Sequence, residues 1–338
     1  VSTTSAIKER TSRYGKVVGA LVAAGGGLGL ALQGRLNGQL GARLHDGIGA
    51  AVFSFGTGLV LLVVMVAAMP RARAGIGRLR TALKGHELRW WECLGGMCGA
   101  FFVTAQGITI TALGVAVFTV AVVAGQTASG LLVDRAGIGP GEPRPITPPR
   151  ALGAAIAVVA VLVSVSGEFA HPSALWLAVL PALAGIGMSW QQAVNGLVRD
   201  ASANVIVPTA INFGIGTVGL LAAFAVDVAV RGLPATPPAD WWLYLGGPLG
   251  ILAILSMVVA VRLVGVLLLG LCSVAGQLIG ALVLDLVTPA ADGGLTLTSV
   301  LGVAITLVAV VVAALSTPGR PRPDGGRPGS AERDHPAR

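Results

Sequence analysis

Residues 32–38 read LQGRLNG and residues 190–196 read WQQAVNG, so Gln33, Asn37 and Gly38 return 158 positions later as Gln191, Asn195 and Gly196. The same offset carries Phe55, Gly56 and Gly58 of FSFGTG onto Phe213, Gly214 and Gly216 of INFGIG. Further on the offset becomes 151, and Trp90-Trp91, Leu94-Gly95-Gly96, Ala124-Gly125-Gln126 and Asp134 recur as Trp241-Trp242, Leu245-Gly246-Gly247, Ala275-Gly276-Gln277 and Asp285. Chance similarity between apolar stretches returns glycine and leucine. It does not return amides, paired tryptophans and an aspartate in one order, so the chain reads as a tandem duplication.

The duplicated unit is apolar. Of 338 residues 54% are hydrophobic and 11% charged, against about 25% charged in soluble domains. A soluble fold of this size has too few charges to cover its surface. A membrane span needs about 20 apolar residues, and ten stretches qualify: 16–37, 47–69, 90–111, 113–133, 151–167, 174–195, 204–228, 241–261, 263–284 and 297–316. The connections near 112 and 262 are so tight that they predict helical hairpins. Residues 70–89 read as a basic loop, 134–150 as a Pro/Gly-rich loop, and 231–240 as a proline-rich turn. The expected class is therefore an all-α integral membrane protein with ten transmembrane helices. Its parts are an N-terminal tail (1–15), two five-helix repeats (16–167 and 174–316) and a disordered tail (317–338) whose Pro, Gly and charge leave nothing to bury.

Five spans per repeat is an odd number, so the second repeat must enter the membrane from the side opposite to the first. Charge gives an independent test. With the N-terminus in the cytoplasm, 20 of the 23 Lys and Arg fall on the inner side, leaving Arg35, Arg43 and Arg231 outside. The positive-inside rule then puts both termini in the cytoplasm of a multi-pass inner-membrane protein. The basic start (Lys8, Arg10, Arg13, Lys16) before an apolar run resembles a signal peptide. The related helix in mid-chain, where no signal operates, argues for a span instead. The net charge of +8 is thereby spent on topology, and nucleic acid is not an expected partner.

Polar groups within the spans are the candidate site, because an amide in hydrocarbon needs a partner or a wet cavity. Gln33, Asn37, Ser54 and Gln106 fall toward the outer leaflet, and Gln191, Asn195 and Asn212 toward the inner one. Each set is expected to line or gate a cavity. Gln126 and Gln277 lie nearest the middle, about 5 Å from it by helical rise, and are the expected substrate-binding pair. The bland alternative is that these amides only join helices. The pairs Gly95/Gly99, Gly246/Gly250 and Gly276/Gly280 form flat stripes for close helix contact within one protomer, with dimerisation as the other reading. Gly214-Ile-Gly216-Thr-Val-Gly219 spells a dinucleotide fingerprint but sits in an apolar run without the strand that such a loop requires. Glu92, just past Trp90-Trp91, reads as a wet interfacial acid, with a proton carrier as the other reading. Asp134 and Asp285 read as boundary residues, and Arg35 as lying near a helix end. Cys93, Cys98 and Cys272 read as small buried hydrophobes. No catalytic set, metal cluster or phosphate loop is evident, so neither an enzyme nor a cofactor is expected.

LALQGRLNGQLGA with FSFGTG, WWxxLGG, VVAGQ and a helix-ending Asp resembles the YdcZ-like branch of the drug/metabolite transporter superfamily, in its tandem-fused form. The second half keeps WQQAVNG, INFGIG, WWLYLGG and VAGQ, so the resemblance spans about residues 17–316. It implies a ten-helix fold and movement of small molecules. The small multidrug members of the superfamily depend on a Glu in the first helix, and this chain has none there. The expected function is a secondary carrier of small organic solutes, working by alternating access and sufficient as a monomer in contact with lipid. A non-transporting membrane scaffold or regulatory protein is the alternative.

The charge pattern makes a topological prediction. A single cysteine at position 170 should react with an impermeant thiol reagent from outside, whereas one at position 80 should not. The reverse pattern would remove the inverted arrangement.

Overall fold

The computed structural model describes residues 3–140, 143, 145–166, 172–288 and 295–314. These contain nine α-helices and no strand among the described residues: α1 (Thr3–Leu44), α2 (Gly47–Ala68), α3 (Pro70–Lys84), α4 (Gly95–Arg135), α5 (Pro148–Val165), α6 (Pro172–Ser202), α7 (Ile206–Arg231), α8 (Gly246–Val287) and α9 (Leu297–Ala314). Seven helical segments are long and apolar enough to cross a membrane, and the segments Trp241–Met257 and Leu297–Ala313 are apolar but shorter. The tail at 317–338 lies outside the described residues.

α4 does not run straight. Gly114 has φ 80° and ψ 161°, a conformation that only glycine adopts without strain. Phe102 and Phe118 meet edge to face with ring centroids 5.7 Å apart. On a continuous helix their Cα atoms would stand about 24 Å apart along the axis. The chain therefore reverses here, as the tight connection near 112 predicts. In the returning arm every residue from Leu113 to Gly125 is buried, the mark of a helix enclosed on all sides by protein. α8 folds back in the same way. Neighbouring Gly26 and Gly27 of α1 face Ala253 and Ser273 respectively, two residues that a straight helix would hold about 30 Å apart.

The two hairpins are held by the first helix of the other half. A Cβ built on Gly27 would overlap the carbonyl oxygen of Ser273 and lie 2.8 Å from the amide nitrogen of Gln277. At the equivalent crossing, a Cβ on Gly185 of α6 would overlap the carbonyl oxygen of Val122 and lie 2.9 Å from the nitrogen of Gln126. Glycines face back across both: Gly276 against the carbonyl of Ala24, and Gly125 against that of Ala182. Backbone meets backbone at each crossing. In lipid, where no hydrophobic gain separates one helix neighbour from another, such close approach is the main source of association.

Short signals place the remaining elements. His45 takes a left-handed φ of 53°, and the Asp46 amide donates to the Gly41 carbonyl (3.0 Å), which ends α1. The Asp46 side chain then accepts from Ile48 N (2.8 Å) and starts α2. The segment 70–89, expected to be a loop, instead begins as a helix. Pro70 occupies the first turn of α3, where its missing N–H costs nothing. Ala72, Gly75, Leu79 and Ala82 form its buried stripe, while Arg71, Arg73 and Arg80 stay exposed. Three of the four stripe residues are Ala or Gly, so weak an apolar signal that the arginines mask it in the sequence. Glu92 lies in a 3-10 turn, and its Oε2 accepts from Arg89 N (2.7 Å), a local cap at the start of α4.

Gly27→Ala and Gly185→Ala should each force a crossing apart. Overpacking of this kind costs about 1–3 kcal/mol, so both variants should lose thermal stability in detergent, whereas Gly56→Ala, with open space around it, should not. Equal melting of all three would contradict the backbone crossings.

Candidate functional site

The predicted polar residues gather into two layers, each assembled from both halves. In the first, Asn37 Nδ2 of α1 donates to Gln106 Oε1 of α4 at 2.8 Å, and both residues are wholly buried. Ser54 of α2 and Asn37 converge on Gly246 of α8, where a Cβ would collide with Asn37 Oδ1 and lie 2.9 Å from Ser54 Oγ. Gln33, one turn before Asn37, faces Gly250, one turn after Gly246. The second layer repeats the plan: Asn212 Nδ2 of α7 donates to Asn195 Oδ1 of α6 (2.9 Å). Both oxygens lie beside Gly95 of α4, and Gln191 lies beside Gly99.

The glycine pairs thus do more than admit a neighbouring helix. Gly95, Gly99, Gly246 and Gly250 are each a socket for an amide or hydroxyl that arrives from the other half, whereas Gly276 and Gly280 face α1 at Ala24 and Leu28. Gln33 Oε1, Asn37 Oδ1, Ser54 Oγ and Gln191 Oε1 are buried without a hydrogen-bond partner among the described residues. A buried acceptor left unmade costs about 1–3 kcal/mol. Three of them lie in the first layer and one in the second, an arrangement that a donor-bearing molecule, water or solute, would relieve.

Between the layers Phe55 and Phe213, equivalent positions of the two halves, stack with ring centroids 4.8 Å apart at 28°. Each ring fits only because the other half has a glycine beneath it, Gly216 under Phe55 and Gly58 under Phe213. Gln126 and Gln277 are half-buried and sit at the two backbone crossings rather than in either layer. Ser189 Oγ donates to the Gln126 carbonyl (2.6 Å), and neither side-chain amide has a hydrogen bond among the described residues. A cavity of about 320 Å³ opens elsewhere, beside Gln39, Arg43, Thr111, Asp240, Trp242 and Leu243. Arg43 and Asp240 pair at its rim (3.2 Å). None of the predicted site residues lines it.

Two residues escape the sequence reading. Asp285 is 6% exposed, and its carboxylate accepts from Val115 N (2.9 Å) and Ala116 N (2.7 Å), the first amides after the Gly114 reversal. Arg35, also 6% exposed, holds Nη1 4.0 Å from Asp285 Oδ1. Neither is a boundary group as the sequence position suggests. The match of Asp285 to Asp134 and an arginine between Gln33 and Asn37 were the available signals. Asp134 itself pairs with Arg150.

Against this geometry the relatives can be set. The family model described as "Putative inner membrane exporter, YdcZ" matches residues 18–163 and again 176–312. The chain belongs to this family. The double match is that of the tandem two-repeat form, and the family sets the chain among inner-membrane transporters. No curated protein matches it. A solved structure described as "Crystal structure of protein" is 18% identical, covering 90% of this chain and 98% of its own, with a TM-score of 0.49.

The first amide layer makes its own prediction. Gln106→Leu should leave Asn37 Nδ2 buried and unpaired, and so destabilise more than the paired change Asn37→Leu with Gln106→Leu. A double-mutant cycle should return a coupling of about 0.6 kcal/mol, up to 1.7. Strict additivity would mean that the bond in the first layer contributes nothing.

Proposed function

We propose that the chain is a secondary carrier of small neutral or amphipathic organic solutes, with ten crossings arranged as two inverted five-helix repeats. Seven helical segments meet the span criteria. The reversal in α4, both arms of which lie in one of these segments, and the two shorter apolar helices Trp241–Met257 and Leu297–Ala313 supply the remaining crossings. The observation that carries the reading is reciprocity. The contact of Gly27 with Ser273 and Gln277 recurs as Gly185 with Val122 and Gln126, and Gly246 with Asn37 recurs as Gly95 with Asn195. Halves that exchange the same contacts about a shared axis can exchange conformations as well, and that is the physical basis of alternating access in inverted-repeat carriers.

On this reading the two amide layers are gates and the Phe55–Phe213 stack lies on the axis. The solute passes along the arms carrying Gln126 and Gln277, whose amides offer donors and acceptors without charge. Among the described residues, neither a central acid nor a central cage of aromatics invites a cation. The buried Arg35 stands against Asp285, which removes the bare positive charge that an anion would seek. Both termini lie in the cytoplasm, the repeats occupy 16–167 and 174–316, and one polypeptide supplies both orientations, so the monomer is the working unit.

The test is a solute screen in proteoliposomes. Gln126→Leu and Gln277→Leu should each lower transport severalfold while leaving melting nearly unchanged, because hydrogen bonds between membrane helices average about 0.6 kcal/mol. Normal transport by both variants would remove them from the path. Absence of flux for every solute class would favour a scaffold in which the amides only join helices.

A further inference from the structure

The Asp285 cluster is unusual because it spends a charged pair inside the bundle, where ionisable groups are costly and kept for a task. Its geometry names the task. Gly114 breaks α4 and exposes the amides of Val115 and Ala116, the leading N–H groups of a new helical arm. The Asp285 carboxylate, near the end of α8, takes one amide on each oxygen. Negative charge at a helix start is favoured both by these donors and by the helix dipole. The contact ties the hairpin of one half to the last turns of the hairpin of the other. Arg35 adds α1 to the same point, and the Asn37–Gln106 bond ties α1 to α4 alongside it.

The equivalent end of the molecule is not closed in this way. Asn37 is wholly buried, but its counterpart Asn195 is only half-buried. Gly34 is buried beneath Ile110 and Gln106 of α4, whereas the equivalent residue, Gln192, is exposed. Gly38 faces Ile110 while Gly196 faces Pro140. The counterpart of Asp285 is Asp134, whose side chain is 37% exposed and bonded to Arg150. The counterpart of Arg35 is Ala193. One end is latched and the other is looser.

We propose that Asp285 is the latch of the outer gate. Asp134 is its counterpart at the inner gate, leaving Arg150 to accept the amides of residues 266 and 267 when the carrier faces outward. The roles of inside and outside rest on the carrier reading above. The structure then corresponds to the state closed outside, and each half-cycle breaks one carboxylate–amide pair and forms the other. Asp285 and Asp134 act through the hairpins and do not touch solute.

Impermeant thiol labelling of the full chain in proteoliposomes reads the latch directly. Cys93, Cys98 and Cys272 are first replaced, and Ser54→Cys is introduced as a reporter within the outer gate, where Ser54 is 2% exposed. Loss of a hydrogen bond to a charged group shifts such an equilibrium by about tenfold or more. Asp285→Asn should therefore raise the outside labelling rate at position 54 about tenfold, and Asp134→Asn should lower it. An unchanged or lower rate in Asp285→Asn overturns the latch. If Asp285→Asn does not assemble, Asp134→Asn decides the matter: a fall upholds the exchange of latches, and no change overturns it. The readout needs no solute, so a screen that finds no cargo would count against the carrier reading without touching this result.

Discussion

Everything in this structure leans on two places where backbone touches backbone. At Gly27 against Ser273, and again at Gly185 against Val122, there is no room for a side chain on the first helix of either half. Lipid tails are as apolar as leucine, so large apolar side chains gain little by turning inward. Association must come from contact at short range and from polar pairs shielded from lipid. Glycine supplies the first at the crossings, and the amide layers supply the second a few turns away. Because each crossing joins α1 or α6 to the hairpin of the other half, neither half buries its glycine face alone. The fusion of two halves in one chain makes that mutual dependence intramolecular, and the effective concentration of each partner is then fixed by the linker.

The same crossings explain why the rest of the interface can be polar. A glycine socket lets an amide lie flat against a neighbouring backbone, as Asn37 does at Gly246 and Gln191 at Gly99. A larger residue in the socket would hold the helices farther apart and leave space for the amide to turn toward lipid. The buried acceptors that remain unpaired in both layers cost stability in this arrangement, and the same cost lowers the barrier for leaving it.

Much of this was legible in the sequence, and the failures have physical causes. The repeat, the apolar helices and the sharp reversal at residue 114 follow from apolar run length and from residue types that chance does not pair. The family could be read from the same motifs. α3 was hidden because Leu79 is the one large apolar residue of its buried stripe, and the others, Ala72, Gly75 and Ala82, carry little hydrophobic signal among arginines. Asp285 was misplaced for a different reason. Its environment is made by amides 170 residues earlier in the chain, and only the fold of α4 exposes them. Local context shows an aspartate at the end of a span and nothing more. The glycine pairs were rightly read as close-contact stripes, but pattern alone cannot say whether a backbone or an amide fills the groove.

The stacked Phe55 and Phe213 set a constraint on any path through the molecule. Equivalent residues in contact must lie where the two halves meet, and there the rings, 4.8 Å apart, leave no room for a solute between them. On the carrier reading, transport cannot run down the axis itself. It must run beside the stack, between a hairpin and the first helix that crosses it, which is where Gln126 and Gln277 lie. Phe55 stands over Gly216 and near Gly99 in the second layer, and Phe213 over Gly58. A shift of either hairpin therefore moves the floor beneath a ring. The stack then acts as a pivot, because its apolar faces slide with little change in contact area while the amide layers at either end must break hydrogen bonds to move. The energetic difference between open and closed ends would reside in those layers and in the carboxylate–amide pairs, and the aromatic centre would stay the same in both states.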